Sequence, residues 1–393
     1  MIKIQASSIK RLLQCPGSAG LEMGLAEDLR YRPFKDAATF GTKCHDLAEQ
    51  RLKSFHYKGE KPPALKGIIK KTFDEGERER AFKAVNEYEK YFNKIHRKHV
   101  RLKGKTLVLI EEKIRYTGPN FDAVAKADGA LVTYQSEKAL LTLDFFDLKT
   151  GNFDYSGAGA VDQIMFGALL YLSSIDSIEG QPLTDETRVS ITAHVVQPNY
   201  YDAAKGVYKE KTSGALNIFF ERERFRRYFI QPIVKNPDQF NTGEACKFCP
   251  AVLICPAMQH AAGMVAALAA TDTAPEAIDT PALEKIYLVK NEVETFLKAV
   301  ESTLLDRAEG GARFSDLIVV LMLGHRRWTD KKEVEKRLSF LGEDLYDKKI
   351  KSPAQVEKLA GKENISDLYY TPQIKKLKPY ENPFKTGDVE HDN

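Results

Sequence analysis

Between residues 7 and 97 apolar side chains recur at three- and four-residue intervals, the spacing of helices with one buried face. Ile9, Leu12 and Leu13 predict a short helix over 7–14, capped by Ser7 or Ser8 and ended by Cys15-Pro16. Leu47, Leu52 and Phe55 predict a second over 42–55, and Phe82, Val85, Tyr88 and Phe92 a charged third over 77–97. From Thr106 the pattern changes to strand-like runs, 106–116, 124–134 and 139–148, separated by TGPN and YQSEK. Turn residues at those places predict a meander. A helix over about 160–173, a further strand in VSITAHVVQP and a helix over 215–230 follow. Residues 261–282 are rich in Ala, Thr and Pro and read as a linker. Beyond them come a helix over 284–307, a short strand near 316–322, short helices over 330–341 and 353–361, and a polar tail from about 376. The pattern predicts an α/β protein with a core over 1–260, a linker over 261–282 and a small α/β accessory region over 283–393.

Composition sets limits on this picture. The chain has 393 residues, 43% hydrophobic and 29% charged, as in ordinary globular proteins. No apolar run approaches the ~20 residues of a membrane span. The opening MIKIQASSIKRLLQC has no apolar export core, so a cytoplasmic location is expected. In that compartment five cysteines suggest metal or catalysis before disulfides. The net charge of +4 announces no global field for nucleic acid. Charge is patchy, however, with basic clusters at Lys94–Lys105, Arg222–Arg227 and His325–Arg327. Each cluster alone reads first as a solvated face, but a local basic groove is enough to bind DNA.

One strand-like run carries chemistry. In a strand, residues i and i+2 share a face, so Asp147 and Lys149 project together while Leu148 points into the core. Asp128, on the preceding strand, reaches the same place if the two strands pair. Hard oxygen ligands of this kind suit magnesium or manganese. Two blander readings stand beside this one: Asp128-Gly129 as a turn dipeptide and Lys149-Thr150-Gly151 as the close of a strand. Asp144 has the opposite parity and points away from Asp147. His45 on its helix offers a nitrogen ligand, with Glu49 one turn on. Glu111 or Glu112 offers a further carboxylate. Gln163 opens the helix after the strands, and Tyr171 lies two turns later on roughly the same side.

The cysteines form a second constellation. Cys246, Cys249 and Cys255 have local ligand spacing, and Cys15 makes a fourth thiolate from far upstream. Four thiolates suit zinc or an iron–sulfur cluster, and a zinc site with His260 as fourth ligand is the alternative that leaves Cys15 free. Cys44, beside His45, reads as core packing, since a soft thiolate is a poor partner for magnesium.

Taken together, these residues resemble the PD-(D/E)XK nuclease superfamily, in its RecB-like branch with an iron–sulfur staple, which includes the AddB nuclease domain and the CRISPR-associated Cas-type exonucleases. The matching order runs Cys15, Gly41-Thr42 with His45, Asp128, Asp147 with Lys149, Gln163, then Cys246, Cys249 and Cys255. The segments GHRRWTD and SPAQVEKL further resemble a bacteriophage and prophage family of RecB-like proteins. The resemblance implies a central mixed sheet flanked by helices and a metal-dependent DNA exonuclease acting in recombination, replication or DNA degradation in a host cytoplasm. It implies Mg2+ or Mn2+ on His45, Asp128, Asp147 and the Leu148 backbone carbonyl, with Lys149 acting on the attacking water. It implies a [4Fe-4S] cluster on the four cysteines, DNA as substrate, and phage recombination or replication proteins as partners. One departure stands out: the family tyrosine four residues after the glutamine is Gly167 here, and Tyr171 comes a turn later.

Overall fold

The computed structural model describes residues 1–26, 30–31, 35–151, 158–199, 207–211, 216–269, 279–323, 327–328, 331–345, 352–371 and 373–379. The chain forms a mixed α/β structure in two compact units, Met1–Ala299 and Val300–Asn393. In chain order the first unit holds β1 (Ile2–Gln5), α1 (Ile9–Gln14), α2 (Ser18–Gly24), α3 (Lys35–Lys58), α4 (Leu65–Thr72) and α5 (Glu75–Val100). Then follow β2 (Lys105–Leu109), β3 (Glu112–Thr117), β4 (Phe121–Ala127), β5 (Gly129–Gln135), β6 (Leu140–Leu148), α6 (Ala158–Ser174), β7 (Ser177–Ile178), β8 (Gln181–Pro182), β9 (Arg188–Val196) and β10 (Val207–Lys211). The unit closes with α7 (Ile218–Phe225), α8 (Gln231–Lys235), α9 (Pro256–Ala269), α10 (Thr280–Leu288) and the first half of α11 (Lys290–Glu309).

Two sheets build the core. The larger has the order β10-β9-β6-β5-β2 and is mixed, with β6 and β9 parallel and the other pairs antiparallel. The smaller has the order β1-β4-β3, with β1 parallel to β4. The expected meander is present in β2, β5 and β6, with a difference. The runs 106–116 and 124–134 each break into two strands that pass from one sheet to the other. Glu111, at φ 54°, marks the first break, and Asp128 the second. Glu111 N–H donates to the Asp128 carbonyl at 3.4 Å, so the two corners lie side by side.

Alternation along the strands assigns the faces. On β6, Leu141, Leu143 and Phe145 pack with α6 residues such as Ile164 and Phe166. Phe146 and Leu148 pack on the opposite side with Phe40, Cys44 and Leu52 of α3 and Val85, Tyr88 and Phe92 of α5. Asp128-Gly129 is therefore no turn. A Cβ on Gly129 would sit 2.7 Å from the Phe92 ring and 2.9 Å from the Tyr88 hydroxyl, so glycine is what lets α5 close on the sheet. Phe55, expected on the buried side of α3, is exposed and lies edge-on to His56. Ser8 stands at the start of α1 without capping it through its side chain.

The second unit pairs β11 (Leu317–Leu323) with β14 (Gln373–Pro379) and β12 (Arg327–Trp328) with β13 (Tyr369–Tyr370). Helices α12 (Lys331–Arg337) and α13 (Pro353–Ala360) add Val334 and Val356, and the turn after α12 adds Leu338, to a small core against which Trp328 packs partly buried. The two compact units divide at a different place from the expected domains. Residues 261–269 of the expected linker are helical in α9, and 270–278 lie outside the described residues. The division falls inside α11, at Ala299, because α10 and the first half of α11 belong with the first unit. The tail beyond 379, with His325 and Arg326, also lies outside the described residues. No described helix is long and apolar enough to cross a membrane.

Candidate functional site

Three elements meet where β6 ends: α3, the paired corners at Glu111 and Asp128, and α6. Among the described residues one group of three can hold a cation, His45, Glu111 and Asp128, with ligand atoms all within 4.8 Å of one another. His45 Nδ1 lies 3.2 Å from Asp128 Oδ2 and 3.7 Å from Glu111 Oε1. The other oxygen of Glu111, Oε2, takes the Lys126 ammonium at 2.5 Å. Asp128 Oδ2 also accepts from the Leu148 backbone N–H at 2.7 Å. Asp128 thus ties the corner to the end of β6, and it is the N–H of Leu148 that faces it.

Asp147 lies a step further on. Its parity turns it toward α6, as expected from the sequence. Its Oδ1 accepts from Lys149 Nζ at 3.1 Å and from Gln163 Nε2 at 3.3 Å. Lys149 Nζ also reaches Gln163 Oε1 at 3.4 Å. The buried Asp147 Oδ2 lies 2.8 Å from Lys149 Nζ but takes part in no hydrogen bond of good geometry. Asp128, Asp147 and Gln163 line one small cavity with Lys126, Phe145 and Gly167. Of the cation group Asp128 alone lines this cavity with Asp147, whose oxygens belong to Lys149 and Gln163.

The charges are coupled. Burial alone would push the His45 pKa down; the charge and hydrogen bond of Asp128, the Glu111 hydrogen bond and the Asp147 charge outweigh it and lift it to about 10. Burial raises the Asp128 pKa, His45 pulls it back, and the Asp147 and Glu111 charges raise it again. Such crowding of acids is relieved by a divalent cation.

Tyr171 is not part of this group. It is buried on α6 against Phe145, at 6.1 Å between ring centres, and burial raises its pKa to about 12. Gly167, four residues after Gln163, borders the cavity, and a Cβ there would make ordinary contacts at 3.6 Å with Ala125.

The four cysteines also come together. Cys15, Cys246, Cys249 and Cys255 line a single cavity with Arg11 and Met258. Burial raises the Cys249 pKa to about 11, and burial also raises that of Cys246. Buried thiols of this kind release their protons to a bound metal rather than to water. The chain is latched here by main-chain contacts as well: Gly17 N–H donates to Gln239 O at 2.9 Å, and Asn241 Nδ2 to Gln14 O at 2.7 Å. His260 is exposed and does not line the cavity. Cys44 is buried in the α3–α5 core, and burial lifts its pKa to about 12, in keeping with a packing role.

One polar cluster escaped the sequence reading. On the other face of β6, Asp144 accepts from His99 Nε2 at 2.8 Å and from His194 Nε2 at 2.5 Å. Thr133 Oγ1 lies 2.7 Å from His99 Nδ1, and the Tyr91 hydroxyl 3.0 Å from His194 Nδ1. A carboxylate only accepts, so each Nε2 donates to Asp144, and a hydroxyl stands beside each Nδ1. The signal was present in the register: His194 on β9 pairs with Phe146, whose face Asp144 shares.

Fold and site define a mixed α/β protein with an acid, histidine and lysine centre and a separate four-cysteine pocket. The chain belongs to the family described as "Protein of unknown function (DUF2800)", which matches residues 3–382. No curated protein matches it.

Proposed function

We propose that this protein is a metal-dependent DNA exonuclease of the PD-(D/E)XK, RecB-like kind, hydrolysing phosphodiester bonds in DNA recombination, replication or degradation. The observation that carries the reading is convergence. His45, Asp128, Asp147, Lys149 and Gln163 come from four separate elements and meet around the end of one central strand. The chain's residues fit a divalent cation: three ligand groups stand within 4.8 Å, and a buried Asp147 oxygen lacks a hydrogen bond. When bound, Mg2+ or Mn2+ supplies a water of lowered pKa and offsets charge on the phosphate. His45, Glu111 and Asp128 would hold it, with Asp147 at the edge.

The other residues have distinct roles. Gln163 fixes Asp147 and Lys149 relative to each other through both ends of its amide. Lys149 presents its ammonium beside Asp147, where it donates to the attacking water or to a phosphate oxygen as negative charge grows there. Asp128 holds the strand end through Leu148 N–H. The cysteine pocket would carry a [4Fe-4S] cluster as a structural staple, with the buried Arg11 guanidinium beside it offsetting thiolate charge.

A second reading has one specific observation behind it. Tyr171 is withdrawn into the core and Gly167 offers no hydroxyl, which suits a catalytically silent DNA-binding accessory protein of the same fold. One experiment separates the two. Anaerobically purified protein is incubated with end-labelled DNA and Mn2+ beside Asp147→Asn. Cleavage by wild type alone is expected. Folded, DNA-binding wild type that leaves the label intact refutes the nuclease and supports the silent reading.

A further inference from the structure

A second lysine reaches the candidate centre. On β4, Ala125 and Ala127 turn into the core, so Lys126 points to the other side, toward the corner that presents Glu111. Its Nζ stands 2.5 Å from Glu111 Oε2. The other oxygen of that carboxylate, Oε1, faces His45 Nδ1 at 3.7 Å, and the same nitrogen faces Asp128 at 3.2 Å. Lys126 also lines the small cavity of Asp128, Asp147 and Gln163. Glu49 and Asp128 are near enough for their charges to act on the same ammonium.

The two ends of this ion pair are built differently. The Glu111 side chain is 4% exposed and the Lys126 side chain 59%. Glu111 is held in place by its left-handed corner, whose N–H donates to the Asp128 carbonyl. Lys126 is a long chain with most of its surface in water, so an ammonium that leaves Glu111 is rehydrated at little cost. A pair with one end so exposed adds little to folding stability. Lys149 differs from it: 22% exposed, it is fixed between Asp147 and Gln163. The centre thus has one fixed lysine and one releasable lysine, and the releasable one sits on a carboxylate of the cation group.

We propose that Lys126 is a positioning residue that controls entry of the divalent cation, because its ammonium and the cation compete for Glu111. The cation is bound with release of Lys126 to solvent, so Lys126 sets how much Mn2+ or Mg2+ the centre needs. The proposal rests on the reading of His45, Glu111 and Asp128 as a cation group. It also gives the centre a preference by charge. A monovalent cation gains no more from Glu111 than the ammonium it must displace, whereas a divalent one gains about twice as much.

The test is calorimetry of Mn2+ on the full chain: wild type, Lys126→Gln, Lys126→Arg, Glu111→Gln, and Glu111→Gln with Lys126→Gln. Lys126→Gln should bind Mn2+ on the order of tenfold tighter than wild type, with its melting temperature nearly unchanged. Lys126→Arg should bind no tighter than wild type, since a guanidinium holds a carboxylate through two hydrogen bonds. In the Glu111→Gln background the Lys126→Gln change should move the affinity by about twofold at most, because Lys126 acts through Glu111. Unchanged or weaker Mn2+ binding by Lys126→Gln overturns the proposal. So does equal tightening in both backgrounds, which would make Lys126 a charge acting at a distance. Either result leaves the cation group standing, provided wild type binds Mn2+. Wild type that binds no Mn2+ overturns the cation group and the proposal together.

Discussion

Two aspartates three residues apart on β6 should respond to substitution in opposite ways, and Asp144→Asn is the sharper test. Burial alone would raise the Asp144 pKa; the hydrogen bonds from His194 and His99, and their charges, reverse this and hold it at about 2. An ordinary aspartate titrates near ~3.9, so the shift corresponds to about 2 kcal/mol favouring the folded state at neutral pH. Asparagine removes that contribution. Its amide also accepts from only one of the two imidazoles, and an unmatched buried donor costs about 1–3 kcal/mol. A total loss of roughly 3–5 kcal/mol is expected.

The sign with pH follows from the direction of the shift. The folded pKa lies below the unfolded one, so the contribution is complete above about pH 4. It declines as pH falls toward about 2 and is absent below both values. Urea unfolding followed by far-ultraviolet circular dichroism at pH 7 should show a midpoint about 1–2 M lower, for a denaturant slope near 3 kcal/mol/M. The gap between wild type and variant should narrow between pH 4 and pH 2. Below its own midpoint the variant should cleave DNA as wild type does, since Asp144 and Asp147 face opposite sides of the sheet. A loss under about 1 kcal/mol, or a folded variant without cleavage, refutes the assignment of Asp144 to structure.

Two further substitutions probe the two candidate metal sites. Cys15→Ser should lose iron and brown colour and melt lower. The chain-entropy limit for so long a loop is about 5 kcal/mol, reduced here by the existing latch between residues 14–17 and 239–241; iron content and melting temperature equal to wild type would remove Cys15 from the ligand set. Glu111→Gln should weaken Mn2+ binding, read by calorimetry, about tenfold or more, because one of three oxygen and nitrogen ligands becomes a neutral amide. Unchanged Mn2+ affinity would leave Glu111 as a partner of Lys126 alone.

How much of this was legible depends on the period involved. A strand has a period of two, so parity separates Asp147 from Asp144 without ambiguity, and the structure places them on opposite faces. A helix is less forgiving. Tyr171 is eight residues from Gln163, a rotation of about 80° beyond two full turns. That offset is enough to carry it from the cavity to the side of Phe145. Glu111 was one of two adjacent candidates. The choice rests on a left-handed corner at a residue with no glycine to announce it, where a strand run breaks between two sheets. The Asp144 cluster joins partners 45 and 50 positions away, visible only once β6 and β9 are set in register. Alanine-rich composition suits a helix as well as a loose connection, so it does not by itself mark a linker. Residues 261–269 took the helix.

The cysteine pocket and the acid centre are physically linked, which bears on why one chain would carry both. β1 runs parallel to β4, and Asp128 follows β4 directly. α1, next in the chain, packs on α6, the helix of Gln163. Cys15 follows α1 directly, and Arg11 of α1 lines the cysteine cavity while holding Ser18 and Glu22. Tightening or loosening the pocket therefore shifts α1, and with it the two elements that aim Asp128 and Gln163 at the centre. On this account Cys15→Ser should lower cleavage even at temperatures where the variant remains folded, and Asp147→Asn should leave iron content unchanged. A folded Cys15→Ser protein with full activity would make the pocket a staple for stability alone, uncoupled from the chemistry beside it.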